Sequence, residues 1–380
     1  MSGVAIVAAR RTPIGTAGHG LAACSAADLA AAVVPAVLAD TGSTAADVGE
    51  VVLGNCLGPG GNLARVAGLQ AGLGERVPGL TVDRQCGSGL AAVTVGASLL
   101  SGLAGTSIVL AGGVESASTA PWRYWPPAGG HPPERYLRAP FAPAELGDPE
   151  MGPAADHLAD LRGVDRPRQD AYAHRSHRLA VATRDAGGFD TELVAVGGLD
   201  RDERPRPGLT TQRLARMRPV FDPAGTVTAG NSCGINDGAA IVALLDDDER
   251  ERRGLPGLRI LASATAGVSP RLPGLGLVPA VRMALASAGV GLNEVAVVEL
   301  NEAFAGQVLA CCDDLALDPE RVCVEGGAIA LGHPWGASGA VLLVRLFSQL
   351  VRRARPGAVG LAAIAVGGGQ GVAMVVQACH

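Results

Sequence analysis

A cysteine lies where a strand-like run gives way to a helix-like run. Residues 81–93 read TVDRQCGSGLAAV, with Cys86 enclosed by small residues. A free cysteine is often an inert core residue. At a helix N-terminus the helix dipole favours the thiolate, so the same residue could be a nucleophile. This stretch alone leaves both interpretations open.

A histidine in the last third of the chain offers the base that such a nucleophile needs. His333 belongs to GHPWGASGAVLLVRL (332–346), where small residues open an apolar helix as they do after Cys86. In a Cys–His pair the imidazole takes the thiol proton and the thiolate attacks. Acyl transfer also needs hydrogen-bond donors for the developing oxyanion. Asn301, which follows the apolar run VAVVEL, and the backbone amide of Gly367 are candidate donors.

The elements that must position these residues repeat along the chain. Short strand-like runs alternate with helical patterns, which predicts an α/β fold with helices covering the sheet. VPAVRMALASAGV (278–290) matches the helical run at 27–42, and AIAVGGGQGVAMVVQ (363–377) matches IVLAGGVES (108–116), which indicates two similar halves. Duplicated α/β halves tend to bring equivalent helix starts together, so Cys86 and His333 are expected to face each other.

Composition excludes several classes of protein. The 380 residues are 48% hydrophobic and 18% charged, with a net charge of −5, so large cores are expected and nucleic acid is not an expected partner. No lysine is present, so arginine or backbone N–H groups must hold any anionic ligand.

The cysteines form no C-x-x-C pair, which argues against a metal site. We expect free thiols in a reducing cytoplasm and no association with a membrane, because signal-peptide and bilayer-spanning patterns are not seen.

The motifs, taken together, resemble those of the thiolases, the acyl-CoA C-acyltransferase family. The matching blocks are DRQCGSG around Cys86, NEAFA (301–305), GGAIALGHPWGASGA (326–340) and GGGQG (367–371), with RTPIG (11–15), GGVES (112–116), GNSCGINDGAA (230–240) and GLGLVPA (274–280) in support. The resemblance implies a five-layer αβαβα fold made of two duplicated halves with an inserted loop domain. We accordingly expect an N-terminal half of residues 1–116 plus about 225–250, a loop domain at 117–224 and a C-terminal half at 251–380.

The resemblance also implies the chemistry. Cys86 would be the acylated nucleophile, His333 the residue that activates it, Asn301 the holder of an oxyanion-site water and Gly367 a backbone oxyanion donor. Thiolases run a ping-pong reaction on acyl-CoA thioesters, hold no permanently bound cofactor and commonly form homodimers or homotetramers. The residues expected to contact the substrate or CoA are Cys233, Phe304, Trp335 and Ala365.

Ala365 departs from the family pattern. Thiolases usually carry there a second cysteine, which removes the α-proton of the second acyl-CoA, and a positioned base contributes roughly 10² to 10⁴-fold. Glu325 or Cys323 could be a relocated base in an otherwise standard acetyl-CoA C-acyltransferase. Alternatively, a malonyl-type extender could yield the carbanion by decarboxylation, or the chain could be a catalytically reduced partner subunit or a thioester hydrolase. The leading hypothesis is a specialised C–C bond-forming or acyl-transfer reaction.

Other departures and polar runs allow more than one interpretation. Cys233 replaces a serine expected near the pantetheine, and Trp335 either narrows the acyl pocket or packs. The Pro-, Gly- and aromatic-rich run at 121–140 could be a surface excursion, an oligomer contact or a substrate lining. The basic run RPRPGLTTQRLARMRP (204–219) could bind the CoA phosphates or be a solvated face. His174 and His177 lack a third metal ligand, so we expect them at the surface.

Overall fold

Strands and helices alternate through the computed structural model, which describes residues 3–100, 102–103 and 107–379. The strands are β1 (Val4–Arg11), β2 (Gly15–Thr16), β3 (Val48–Gly54), β4 (Gly79–Val82), β5 (Ile108–Glu115), β6 (Arg123–Trp125), β7 (Glu134–Tyr136), β8 (Asn236–Asp246), β9 (Gly257–Gly267), β10 (Val295–Leu300), β11 (Val359–Val366) and β12 (Gln370–Cys379). The α-helices are α1 (Ala26–Asp40), α2 (Leu63–Gln70), α3 (Ser88–Leu100), α4 (Met151–Leu161), α5 (Arg166–Asp185), α6 (Thr211–Ala215), α7 (Asp247–Arg252), α8 (Leu277–Ala288), α9 (Ala305–Leu315), α10 (Ala328–Leu331) and α11 (Trp335–Phe347).

Two similar halves meet at the centre of one long sheet. Its strand order is β10-β11-β12-β9-β1-β8-β5-β3-β4, and β2 pairs with the start of β8. Antiparallel pairing of β1 with β9 joins the halves. Counted outward from this junction, the strands of one half are β1, β8, β5 and β3, and those of the other half are β9, β12, β11 and β10 in the same order. The outermost pair is parallel in both halves, β5 with β3 and β11 with β10. The duplication predicted from the sequence is therefore confirmed.

Helices cover both faces of each half-sheet. Along β8, Ala240, Val242 and Leu244 pack into the middle core, whereas Ile241 and Ala243 pack into an outer one, as the two-residue period of a strand requires. The middle core contains α3 and α11, while α1 belongs to one outer core and α8 and α9 to the other. The result is the predicted five-layer αβαβα architecture.

Local sequence sets the start of α1. The side chain of Ser25 accepts a hydrogen bond from the N–H of Asp28, and the Asp28 carboxylate accepts one from the N–H of Ser25. This capping box satisfies two of the N–H groups that the first turn of a helix leaves without partners. The helix ends at Asp40, close to the end predicted at Gly42.

Between β5 and β8 the chain leaves the sheet. This part carries the β6–β7 hairpin and α4, α5 and α6, and the chain then returns to the N-terminal half as β8. The expectation of a surface location for His177 is wrong, because its side chain is buried on α5 and its Nδ1 accepts a hydrogen bond from the N–H of Arg206. The domain boundaries at 116, 225 and 250 stay predictions. In the described part of the chain, no helix combines the length and apolar character needed to span a bilayer.

Candidate active site

A strained turn holds Cys86 just before α3. The preceding residue, Gln85, has a φ of +41°, a left-handed conformation that costs free energy for a residue with a side chain. Ser88 Oγ accepts a hydrogen bond from the N–H of Arg84 at 2.7 Å and donates one to the carbonyl of Gln85 at 2.6 Å. Cys56 Sγ donates a second hydrogen bond to the same carbonyl, at 3.1 Å. These contacts fix the turn and with it the position of the thiol.

Glycines let the start of α3 touch the start of α11. A Cβ atom on Gly89 would lie 2.8 Å from the carbonyl oxygen of Gly336, and one on Gly339 would lie 2.4 Å from the backbone nitrogen of Leu90. Because Cys86 and His333 each precede one of these helices by two residues, close packing of the helix starts brings the two segments together. The small residues in these two motifs are therefore needed for close helix packing, besides marking the candidate site in the sequence.

The thiol of Cys86 is protonated at rest. Burial raises its pKa to about 12, and the neighbouring Cys233 thiol and the Glu115 carboxyl act in the same direction. The nearby backbone N–H groups of Cys86 and Gly367 act in the other direction and lower the pKa, but burial outweighs them. The helix start therefore does not produce a free thiolate, and the thiol needs a base.

His333 is uncharged and can therefore accept a proton. Its ring is buried, and burial lowers its pKa to about 3, so the imidazole is neutral. Ser338 Oγ lies 2.6 Å from Nδ1 and 2.9 Å from the carbonyl oxygen of Pro334. Since the hydroxyl gives its single proton to Pro334, it accepts from Nδ1–H, and this assigns the lone pair of the ring to Nε2.

Two asparagines fix the position of His333. Asn301 Nδ2 lies 3.4 Å from Nε2 of the ring, and Asn236 Oδ1 accepts a hydrogen bond from the backbone N–H of His333 at 2.9 Å. Within the described residues no hydrogen bond joins His333 to the thiol of Cys86. Catalytic hydrogen bonds are often formed only when substrate binds.

The backbone N–H of Gly367 lies near Cys86 because Gly87, the residue after Cys86, lets the end of β11 approach closely. A Cβ on Gly87 would lie 2.8 Å from Val366, the residue before Gly367. Phe141 covers Gly367 from the other side, since a Cβ on this glycine would lie 2.6 Å from the Phe141 ring. Sequence reasoning missed Phe141, because no regular pattern marks its segment.

Three of the expected substrate-binding residues lie around the same centre. The backbone N–H of Cys233 donates to the carbonyl of Ala303, and its neighbour Ser232 pairs with Phe304. Trp335 is the half-buried first residue of α11, two residues after His333. The fourth, Ala365, lies on β11 two residues before Gly367; its methyl group is only partly buried, and it contacts the edge of an outer core.

The two candidate relocated bases have other partners. Both carboxylate oxygens of Glu325 are ion-paired, one with Arg345 and the other with Arg353. Cys323 Sγ donates to the carbonyl of Leu300 at 3.2 Å, and burial raises the pKa of this thiol well above its usual value. The structure does not bring either side chain to Cys86.

Glu115 links the elements of the site but was given no role from the sequence. Its buried carboxylate accepts hydrogen bonds from the side-chain amide of Asn55 at 2.9 Å and from the backbone N–H groups of Cys56, Leu57 and Gly336 at 3.1 to 3.2 Å. It thereby ties the end of β3 to the first turn of α11. The GGVES motif was its only sequence signal. Among the described residues no group of His, Cys, Asp or Glu side chains could hold a metal ion.

Comparison with known proteins shows the family of the chain. The family model "Thiolase, N-terminal domain" matches residues 4–248, and "Thiolase, C-terminal domain" matches residues 256–378. The chain belongs to the thiolase family. Relatives include an acetyl-CoA acetyltransferase of Escherichia coli, 42% identical over 395 residues, and one of Pseudomonas aeruginosa, 41% identical over 396 residues, each alignment covering 99% of both chains.

A solved thiolase has the same fold. The crystal structure of the Bacillus anthracis acetyl-CoA acetyltransferase matches with a TM-score of 0.90 and 36% identity, covering 100% of this chain and 99% of that one. The predicted family and fold are confirmed, and the chain is an acyltransferase.

Proposed function

We propose that this thiolase takes acyl groups from CoA thioesters onto Cys86 and uses the acyl-enzyme in a specialised C–C bond-forming reaction. One observation carries the first part. The segment of His333, whose neutral imidazole has its lone pair on Nε2, packs against the segment of Cys86, and the backbone N–H groups of Cys86 and Gly367 lie close enough to the sulfur to lower its pKa. This is the set of groups that thioester exchange requires.

The steps of acylation follow from these groups. His333 Nε2 takes the thiol proton as the sulfur bonds to the carbonyl carbon of the thioester. The carbonyl oxygen becomes an oxyanion, which the N–H groups of Cys86 and Gly367 stabilise, with Asn301 available through a water. Collapse of the tetrahedral intermediate breaks the bond to the sulfur of CoA, which leaves with the proton held by His333.

The second half of the reaction is where Ala365 matters. Alanine has no proton acceptor, and the partners of Glu325 and Cys323 do not support a relocated base there. Loss of CO₂ from a malonyl-type extender would supply the carbanion without a base. The joint presence of Cys86, His333 and Asn301 speaks against a partner subunit without activity.

Assembly as a homodimer or homotetramer and a cytoplasmic location are part of the proposal by analogy with the family.

Intact-mass spectrometry tests the acyl-enzyme. Wild type incubated with acetyl-CoA or a longer acyl-CoA should gain one acyl group, and Cys86→Ala should gain none. Cys379→Ala is the matched control, because it removes a partly exposed thiol at the end of β12 and should leave the adduct intact. An adduct that survives Cys86→Ala would contradict the proposal.

Product analysis tests the second step. We expect C–C bond formation with malonyl-CoA and release of CO₂, whereas Ala365→Cys should create or increase thiolysis of acetoacetyl-CoA. Condensation of acetyl-CoA alone by wild type would favour a standard acetyl-CoA C-acyltransferase. Rapid release of free acid without an acceptor would instead identify a thioester hydrolase.

A further inference from the structure

Arg204 is a half-buried arginine whose guanidinium has no counter-ion among the described residues. Its Nε is closed off from solvent and has no hydrogen-bond partner. Within the described ranges the side chain forms no ion pair, whereas the fully buried arginines Arg11 and Arg345 are paired with carboxylates. A buried cation without an anionic partner costs free energy, so an anion from outside the chain is the expected partner.

Four described neighbours of Arg204 that could carry a negative charge or a hydrogen-bond acceptor do not supply that anion. His177 is neutral, because burial together with Arg204 and Arg206 lowers its pKa to about 3. Cys233 is also uncharged, since burial raises its pKa to about 12 despite the opposing effect of Arg204. The acidic residues next to Arg204 in the chain face elsewhere: Asp202 pairs with Arg11, and Glu203 accepts from the N–H groups of Thr16 and Gly20.

The guanidinium lies against the segment that joins the parts of the active site. A Cβ on Gly234 would lie 2.2 Å from Nη1 of Arg204, so the side chain rests on the backbone directly after Cys233. On one side of Gly234, the N–H of Cys233 bonds to Ala303, two residues after Asn301. On the other side, Ile235 pairs with His333. The thiol of Cys233 is in turn close enough to Cys86 to affect its titration.

This position fits the acyl end of the substrate better than the CoA phosphates. The whole pantetheine arm separates those phosphates from the thioester, whereas Arg204 contacts Gly234, the residue after Cys233, and the Cys233 thiol is close enough to Cys86 to affect its pKa. We infer that Arg204 binds a carboxylate on the acyl group being loaded, so that the chain acts on CoA thioesters of dicarboxylic acids. A guanidinium matches a carboxylate in charge and can hold both oxygens. The inference rests on the proposed acylation of Cys86.

Isosteric pairs of acyl-CoAs test the inference. Malonyl-, succinyl- and glutaryl-CoA are compared with isovaleryl-, 4-methylpentanoyl- and 5-methylhexanoyl-CoA, in which an isopropyl group replaces the carboxylate. The readout is the second-order rate constant for acylation of Cys86, measured by quenched intact-mass spectrometry. For at least one pair, the rate constant of the wild type should be about 10- to 100-fold higher with the carboxylate-bearing acyl-CoA. This is the size expected for a hydrogen bond to a charged group.

Variants separate charge from structure and the acyl end from the CoA end. Arg204→Gln should remove the preference while leaving the rate with the isopropyl partner within a few-fold, and Arg204→Lys should retain part of the preference. Arg206 is an exposed neighbour in the chain, so Arg206→Gln should change the acylation rate constants of both members of a pair by the same factor.

Three outcomes would overturn the inference: no pair shows a preference, Arg204→Gln slows both members of each pair equally, or Arg204→Gln leaves an existing preference intact. Equal slowing would assign Arg204 to the CoA phosphates or to structure. Failure of every acyl-CoA to label Cys86 would refute the proposed function instead, so the two failures are distinguishable.

Discussion

At the scale of the residue, Cys86 and His333 are both uncharged in the resting enzyme. The pKa of the thiol is about 12 and that of the imidazole about 3, so between these values neither group titrates. A preformed thiolate–imidazolium pair would require the opposite order. In the proposed acylation, proton transfer would therefore accompany attack on the thioester, at the moment when the oxyanion donors begin to act.

The pH dependence of alkylation should reveal this order. The thiolate fraction of Cys86 grows tenfold per pH unit below its pKa, so labelling by iodoacetamide should rise steadily from pH 6 to pH 10. Acylation by acyl-CoA should be nearly flat over the same range, because both neutral partners persist. Mass spectrometry of Cys86 measures both rates. A plateau of alkylation at neutral pH would show that an ion pair exists.

Ser338 controls which nitrogen of His333 carries the proton. Ser338→Ala removes the acceptor of Nδ1–H and leaves a buried donor unsatisfied or allows the other tautomer. We expect acylation of Cys86 to slow by about 10- to 100-fold with little change in substrate KM. Thr94→Ala, which removes a hydroxyl bonded within α3, is the control and should act within a few-fold. Equal effects of the two changes would rule out a tautomer role.

At the scale of the element, the contact between α3 and α11 decides where the site residues lie. Gly339→Ala would place a methyl carbon 2.4 Å from the backbone nitrogen of Leu90, so the helices must separate. We expect a loss of about 1–3 kcal/mol in the free energy of unfolding and a larger loss of acylation rate, because a small displacement of reacting groups is costly. Chemical denaturation and acylation assays measure the two effects.

A second glycine provides the matched control. Gly68 on α2 has room for a methyl group, with the nearest atoms at 3.5 and 3.6 Å from a Cβ built there. Gly68→Ala should be neutral or stabilise by up to about 1 kcal/mol, since alanine is the better helix former. Gly339→Ala acting no more strongly than Gly68→Ala would mean that the helix starts need not touch.

The same elements show how far the sequence could be interpreted. Internal repetition predicted the paired halves, and thus the meeting of the segments at Cys86 and His333, because equivalent elements occupy equivalent places. Side chains that act across the fold gave no comparable signal. Glu115 joins β3 to α11, and Phe141 covers Gly367 from an irregular segment. The missing counter-ion of Arg204 is invisible in a sequence, where any acidic residue could be its partner.

At the scale of the whole molecule, one buried ionic network ties the segment between β5 and β8 to two other elements. These are β1, where the two halves of the sheet meet, and α11 in the middle core. Glu192 is completely buried and bonds Arg11 of β1 and Arg345 of α11. Arg11 also pairs with Asp202, and Arg345 with Glu325. Burial alone would raise the pKa of Glu192, but Arg345 and Arg11 outweigh burial and lower it, so the carboxylate remains charged.

Removing that central charge should destabilise the whole fold. Glu192→Gln leaves two buried guanidinium groups without their shared anion, and breaking such a buried network costs about 3–5 kcal/mol. Asp313→Asn breaks the exposed pair with Arg168 and should cost less than about 1 kcal/mol. Denaturant unfolding of both variants measures the difference. Because the carboxylate favours folding only while it is ionised, the gap between wild type and Glu192→Gln should shrink as the pH falls through the lowered pKa of Glu192. A gap that stays constant down to acid pH would show that Glu192 acts by packing rather than by charge.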